Sequence, residues 1–227
     1  MYGLRVTGDA GQIQVYSSIP NYVLKSKGVA YVPYSPGASH TAVNVPMSLT
    51  PTSLLFIKPR IVGAPVAYWY GYRGDLTKAV MVSQQSVYVD WYVFDLSETV
   101  TDFRGEYGLR VYDESHKLTY SSASNALKLL GILKVPDAPS SITYSDLSTH
   151  TLSVASGRTL AGYLSNAREY LGQEDPFPEY HYDGVAVGNG YVRCQQVVSG
   201  FIADTAPKGT IGSLVGGLLI AADVTGL

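Results

Sequence analysis

The five residues Tyr-Gly-Leu-Arg-Val occur twice in this chain, at Tyr2–Val6 and again at Tyr107–Val111. The likeness continues in order beyond them. Tyr16-Ser17-Ser18 recurs as Tyr120-Ser121-Ser122, and Leu24-Lys25, Gly28 and Val32-Pro33 recur as Leu127-Lys128, Gly131 and Val135-Pro136. The offset drifts from 105 to 104 to 103, as small loop deletions would make it. An ordered series of this kind marks a tandem duplication whose unit, about 100 residues, is an ordinary domain size. Copy one is expected over residues 1–101 and copy two over 102–227, with an insertion around 155–180. The ends agree, since Ser86–Leu96 and Ser213–Asp223 are both apolar runs that begin with Ser and keep an Asp near the finish. The middle matches thinly. Tyr68-Trp69-Tyr70 sits at a depth similar to Tyr180-His181-Tyr182, and His40-Thr41 at one similar to His150-Thr151.

Each copy opens as a hairpin. Leu4 and Val6 alternate with Arg5, Gly8-Asp9-Ala10-Gly11 supplies a turn, and Ile13 and Val15 alternate with Gln12 and Gln14. Period two broken by Gly and Asp is the hairpin pattern. Copy two repeats it with Leu109, Val111, a turn over Tyr112-Asp113-Glu114-Ser115, then Leu118 and Tyr120. Further short apolar runs, punctuated by Gly and Pro, indicate a mainly β chain made of two tandem, diverged β-sandwich domains. One segment reads differently. Leu160, Leu164, Ala167 and Leu171 fall at helical spacing with Gly172 behind them, which predicts a short helix in the second copy. The joining segment Ser97–Asp102 is polar and short and lacks Pro or Gly, so the domains are expected side by side in a fixed relation.

Composition narrows the function. Sixteen Lys and Arg against eighteen Asp and Glu give a net charge of −2, without the basic concentration a nucleic-acid binder needs. Charged residues make up 15% of the chain, below the usual ~25%, so part of the surface is expected to be covered by neighbouring subunits or to consist of Ser, Thr and Tyr. Nineteen Tyr against five Phe suits half-buried or shared positions, since the ring is apolar and the hydroxyl can face water or a partner. A single cysteine, Cys194, excludes an internal disulfide and points to a reducing compartment. The start reads as a structural repeat and not as a signal peptide, and the longest apolar run, Ile211–Ala222, is too short for a spanning helix.

No motif carries catalytic chemistry. Gly188-Asn189-Gly190 lacks a phosphate-loop lysine and reads as a turn between strands. No serine sits in a Gly-x-Ser-x-Gly elbow, and Cys194 lies in an alternating stretch where a buried thiol is the ordinary outcome. Glu174, Asp175, Glu179, His181 and Asp183 are the densest set of metal-type ligands, but they fit no cation-loop spacing and read as an acidic loop entering a strand. Arg73-Gly74-Asp75 spells an adhesion tripeptide that a turn after a strand explains as well. Neither a cofactor nor a metal is expected. Trp69, Tyr70 and Tyr72 form the aromatic group best placed to meet a sugar ring or another protein.

The opening Tyr2-Gly-Leu-Arg-Val, the Asp/Gly turn and the Tyr16-Ser17-Ser18 end of the hairpin resemble small tail-associated proteins of long-tailed, double-stranded DNA bacteriophages. The pattern is met twice, at residues 2–33 and 107–136, and weakly at the closing strands. The resemblance implies a non-enzymatic virion structural protein of the tail tip, baseplate or fibre region, made in the host cytoplasm. Its partners would be other tail proteins and copies of itself, without nucleic acid and without a membrane span. A receptor- or carbohydrate-binding module facing a host-surface glycan is the alternative. The double copy and the longer second half, from Thr159 to Pro178, depart from the pattern.

Overall fold

The computed structural model describes residues 5–7, 13–16, 20–34, 42–71, 74–100, 109–121, 124–138, 149–172, 179–201 and 215–227. Two hairpins stand as separate two-stranded sheets. They are β1 (Arg5–Thr7) with β2 (Ile13–Tyr16), and β9 (Arg110–Tyr112) with β10 (Leu118–Ser121). Their registers match at an offset of 105: Arg5 faces Tyr16 as Arg110 faces Ser121, and Thr7 faces Ile13 as Tyr112 faces Leu118. Each second strand carries one extra residue, Gln14 and Thr119, so the bulge is duplicated with the hairpin.

The remaining strands form two antiparallel sheets. The first holds β3 (Tyr22–Val32), β5 (Leu54–Pro59), β8 (Val87–Leu96), β11 (Lys128–Lys134), β13 (Leu160–Leu164) and β17 (Leu218–Asp223), in the order β11-β17-β13-β5-β8-β3. The second holds β4 (Val43–Pro46), β6 (Val66–Tyr70), β7 (Lys78–Ser83), β12 (His150–Ser153), β15 (Glu179–Gly188) and β16 (Tyr191–Phe201), in the order β12-β16-β15-β6-β7-β4. A seventh strand, β14 (Glu169–Gly172), pairs with β15 outside that path.

From the centre outward, β5-β8-β3 answers to β13-β17-β11, and β6-β7-β4 answers to β15-β16-β12. Equivalent strands meet antiparallel at the middle, at Ile57–Gly162 in one sheet and Val66–Val185 in the other. This arrangement is a local two-fold. The copies at 1–101 and 102–227 are therefore not two pairs of sheets side by side, because each supplies half of both sheets of a single sandwich. A three-stranded half-sheet leaves its inner edge unpaired, and joining the two edges satisfies those backbone groups.

Alternation builds the core. Val32, Leu55, Ile57, Val87, Val89, Val93, Leu160, Leu219 and Ala221 point inward from the six-stranded sheet. They meet Val45, Val66, Tyr68, Met81, Val185, Val187, Val192 and Cys194 from the other. Glycine sets the approach at the seam. A Cβ on Gly162 would fall 2.5 Å from the methyls of Val185 and Val192, and one on Gly184 would fall 2.9 Å from the backbone of Val66. The repeated pair Gly28 and Gly131 leaves room for a large neighbour in each half, Trp91 over the first and Leu152 over the second.

The segment expected to be helical forms β13 and the start of β14 instead. Leu160 and Leu164 are four apart, a spacing that helical and strand periods share. Burial on both faces of β13 makes an apolar run that period alone cannot assign. The Gly188-Asn189-Gly190 turn does join two strands, β15 to β16, with Gly190 at φ +79°.

The aspartates near the ends of the two closing strands each tie down a neighbouring turn. Asp95, on β8, is fully buried and accepts from Thr50 Oγ1 (2.7 Å), Thr52 Oγ1 (2.7 Å), Ser53 Oγ (2.9 Å) and Lys25 Nζ (3.2 Å). It thereby clamps the turn ahead of β5. Asp223, on β17, receives Arg158 Nη1 and the amide of Thr225, and Thr225 Oγ1 accepts from the Thr159 amide ahead of β13. The two carboxylates are not register equivalents: Ile57 faces Trp91 as Gly162 faces Ala221, which sets Asp223 against Val93 and Asp95 against Thr225. Burial alone would raise the Asp95 pKa, but the three hydroxyls outweigh it and hold the carboxyl at about 2. Because the folded value lies below the unfolded one, this stabilisation is complete above about pH 4 and is lost as pH falls toward 2. Urea titrations from pH 5 to pH 2 should show on the order of 2 kcal/mol lost through this group, and Asp95→Asn should flatten that acid limb. Gly162→Val should cost about 1–3 kcal/mol by the same measurement, since the valines it would strike are held by the core.

Candidate functional site

The seam of the seven-stranded sheet opens into a cleft. Strand β6 touches β15 at Val66–Val185, and from Tyr182 onward β14 takes the pairing, with Glu169 facing Tyr182 and Gly172 facing Glu179. The fork between β6 and β14 encloses a cleft of about 710 Å³. Tyr68, Leu164 and Ala167 belong to its floor on the core side, and Trp69 and Tyr182 pack with the outer-face cluster. Both halves of the duplication contribute, so neither copy alone holds this site.

Trp69 and Tyr182 stack with centroids 5.3 Å apart and planes 22° apart. The neighbouring tyrosines are fixed by hydrogen bonds. Tyr70 Oη donates to the Ser53 carbonyl (2.9 Å), and the Leu164 amide donates to Tyr68 Oη (3.0 Å). Burial drives both phenol pKa values upward, so each stays protonated. A second hollow of about 380 Å³ lies across Trp69, Tyr70 and Gly71, bounded by Asn44, Asp75, Lys78 and Val80.

Behind the cleft lies a fully buried ion pair. Arg168 Nε donates to Asp183 Oδ2 (2.7 Å), Arg168 Nη2 to Oδ1 (3.0 Å), and the Arg168 amide to Oδ2 (3.0 Å). Arg168 Nη1 reaches the Pro136 carbonyl at 3.3 Å. Burial works against the Arg168 charge, and the Asp183 carboxylate more than restores it. Burial also pushes the Cys194 thiol far up, which leaves it a protonated, inert core group. His150, half-buried, is held toward its neutral form by desolvation and by the Arg168 charge.

Of the residues singled out in sequence, Trp69 and Tyr70 stand on the cleft and Tyr72 lies outside the described residues. Glu174 and Asp175 also lie outside them, as does Arg73. Asp183 is committed to Arg168, and the His181 ring meets the Gln196 amide. Asp75 turns back into its own loop, accepting from the Thr77 amide (2.9 Å) and hydroxyl (2.6 Å). Among the described residues no three His, Cys, Asp or Glu converge to hold a metal, and no helix is long and apolar enough to cross a membrane. Sequence reasoning missed Tyr182, Glu169 and Arg168 as parts of the site. It set Tyr180-His181-Tyr182 beside Tyr68-Trp69-Tyr70 as equivalents, whereas the antiparallel seam brings Trp69 against Tyr182.

Chemically, the cleft offers flat aromatic surface, amides and one half-buried carboxyl. Burial raises the Glu169 pKa. Both Asp183 oxygens accept hydrogen bonds from Arg168, and Asp183 is itself fully buried. No protein-family model, curated protein or solved structure matches this chain. Removing one partner of the buried pair should be more harmful than removing both. Arg168→Met is expected to cost about 3–5 kcal/mol in urea unfolding, and Arg168→Met with Asp183→Leu to recover most of it.

Proposed function

We propose that this chain is a non-enzymatic structural subunit of a virion, in the tail tip or baseplate region of a long-tailed bacteriophage. In this reading it binds copies of itself and other tail proteins. The observation that carries it is on the six-stranded sheet, whose outer face is apolar and covered within the chain at its centre but left exposed toward its two edges. Phe56, Phe94, Tyr92, Ala161 and Ala222 form a second buried cluster there, with Leu24, Tyr163 and Ile220 packed around it. Large apolar side chains remain exposed at both ends of this sheet. Val29, Tyr31 and Tyr88 are 52%, 48% and 53% exposed on one side, and Leu129 and Ile132 are 52% and 55% exposed on the other. The duplicated motif and the low charge support the same reading.

The outermost strand offers a way to assemble. Strand β3 is eleven residues long, and its beginning is covered by 125–127 through the Leu24 and Leu127 amides. From Ser26 to Val32 its outer edge meets no other strand among the described residues. Lys27 guards one end, but Val29, Ala30, Tyr31 and Val32 follow without a charge. Edges are normally blunted by charge, proline or shortness. The opposite edge strand, β11, carries Lys128 and Lys134, and β4 and β12 have four residues each.

An obligate contact of this type buries ~2,000 Å² or more. Sedimentation of the purified chain should therefore show concentration-dependent association, and Val29→Glu with Tyr31→Lys should shift it toward monomer while leaving the melting curve intact. A chain that sediments as a sharp monomer at high concentration contradicts the reading. Antibody against the chain is expected to label the tail end of intact particles, and label on the head or nowhere on the particle would overturn the assignment.

A further inference from the structure

The seam cleft has features that assembly through β3 does not use. Its aromatic pair sits on the seven-stranded sheet, away from the apolar face of the six-stranded one. The two hollows share Trp69, Tyr70 and Gly71, so a single elongated ligand crossing Trp69 could occupy both. Their volumes fall within the range of small-ligand sites.

The charges around them are largely spent internally. Asp183 is neutralised by Arg168, and Asp75 pairs with Lys78 at 3.2 Å. Glu169 has no ion-pair partner among the described residues, and burial raises its pKa. The cleft thus shows no unpaired cation among the described residues, and an anionic ligand would meet the Glu169 carboxyl without a counter-charge. Stacked aromatic faces beside Asn44, Asn166 and Glu169 suit a molecule with apolar C–H faces and a rim of hydroxyls.

We propose that this cleft binds a neutral oligosaccharide, with Trp69 and Tyr182 as the stacking platform and Glu169, Asn166 and Asn44 as hydrogen-bonding groups. Binding occurs without cleavage. Asp183, the other acid lining the cleft, is fully buried and paired with Arg168, so Glu169 is the carboxyl that meets the ligand. Because the site takes Trp69 from one copy and Tyr182 and Glu169 from the other, sugar recognition is a property of the fused pair, absent from the single repeat.

The test uses the intact chain and its two tryptophans. Trp91 lies in the other sheet over Gly28 and serves as the internal reference. Short neutral oligomers of hexoses and N-acetylhexosamines, with sialylated and sulfated counterparts, would be screened on an array. The strongest neutral binder would then be titrated against tryptophan emission. Neutral oligomers should bind and change the emission, and the acidic counterparts should bind at least tenfold more weakly. Trp69→Phe should abolish most of the emission change while binding persists at reduced affinity. Trp69→Ala should weaken binding at least tenfold, and Glu169→Gln severalfold, with thermal unfolding confirming that each variant is folded. If Trp69→Ala does not fold, Trp69→Phe and Glu169→Gln decide the matter. No neutral binder, equal binding of acidic oligomers, or unchanged affinity in the folded variants overturns the proposal. Sedimentation reads self-association separately, so failure of one proposal leaves the other standing.

Discussion

Everything in this structure depends on two antiparallel contacts between equivalent strands, Ile57 with Gly162 and Val66 with Val185. They are short, yet they turn two incomplete half-sheets into two wide sheets with one core between them. The close approach is permitted by glycine. At Gly162 the missing side chain lets Val185 and Val192 seat against β13, and at Gly184 it lets the β6 backbone come alongside. A side chain at either place would wedge the sheets or the strands apart.

The same joint creates the cleft. A sheet joined at one residue pair leaves the two strands unconstrained beyond it. Strand β6 therefore departs from β15, and the second copy fills the wedge with β14, an element the first copy lacks among the described residues. The buried Arg168–Asp183 pair secures the fork from behind and ties β14 to β15 through both side chain and backbone. Buried ion pairs add little net stability against an apolar substitute, so geometric fixation of the fork is the better account of this one. The aromatic stack of Trp69 on Tyr182 then spans the gap.

Assembly and recognition occupy different sheets in this account. Among the described residues the six-stranded sheet presents an open edge and apolar ends, while the seven-stranded sheet presents the aromatic cleft. A subunit held by neighbours along one face and exposing a sugar site on the other would fit the distal part of a tail.

The sequence by itself determined the strand content, the duplication and much of the repeat's logic. The hairpins and the paired glycines at 28 and 131 were legible, because each reflects local geometry repeated in order at an offset that drifts only from 105 to 103. Trp69 and Tyr70 were legible as an aromatic group because they are neighbours in the chain. The segment 159–171 was not, since a spacing of four satisfies both helix and strand until burial on two faces decides it. Only the tertiary structure decided that the copies fuse through their sheets, and only that fusion brought Tyr182, Glu169 and Arg168 to Trp69. Pairing between residues more than a hundred positions apart leaves no periodic trace in a single sequence. It is set by which unpaired edges can meet without a clash, and here two glycines settled that question.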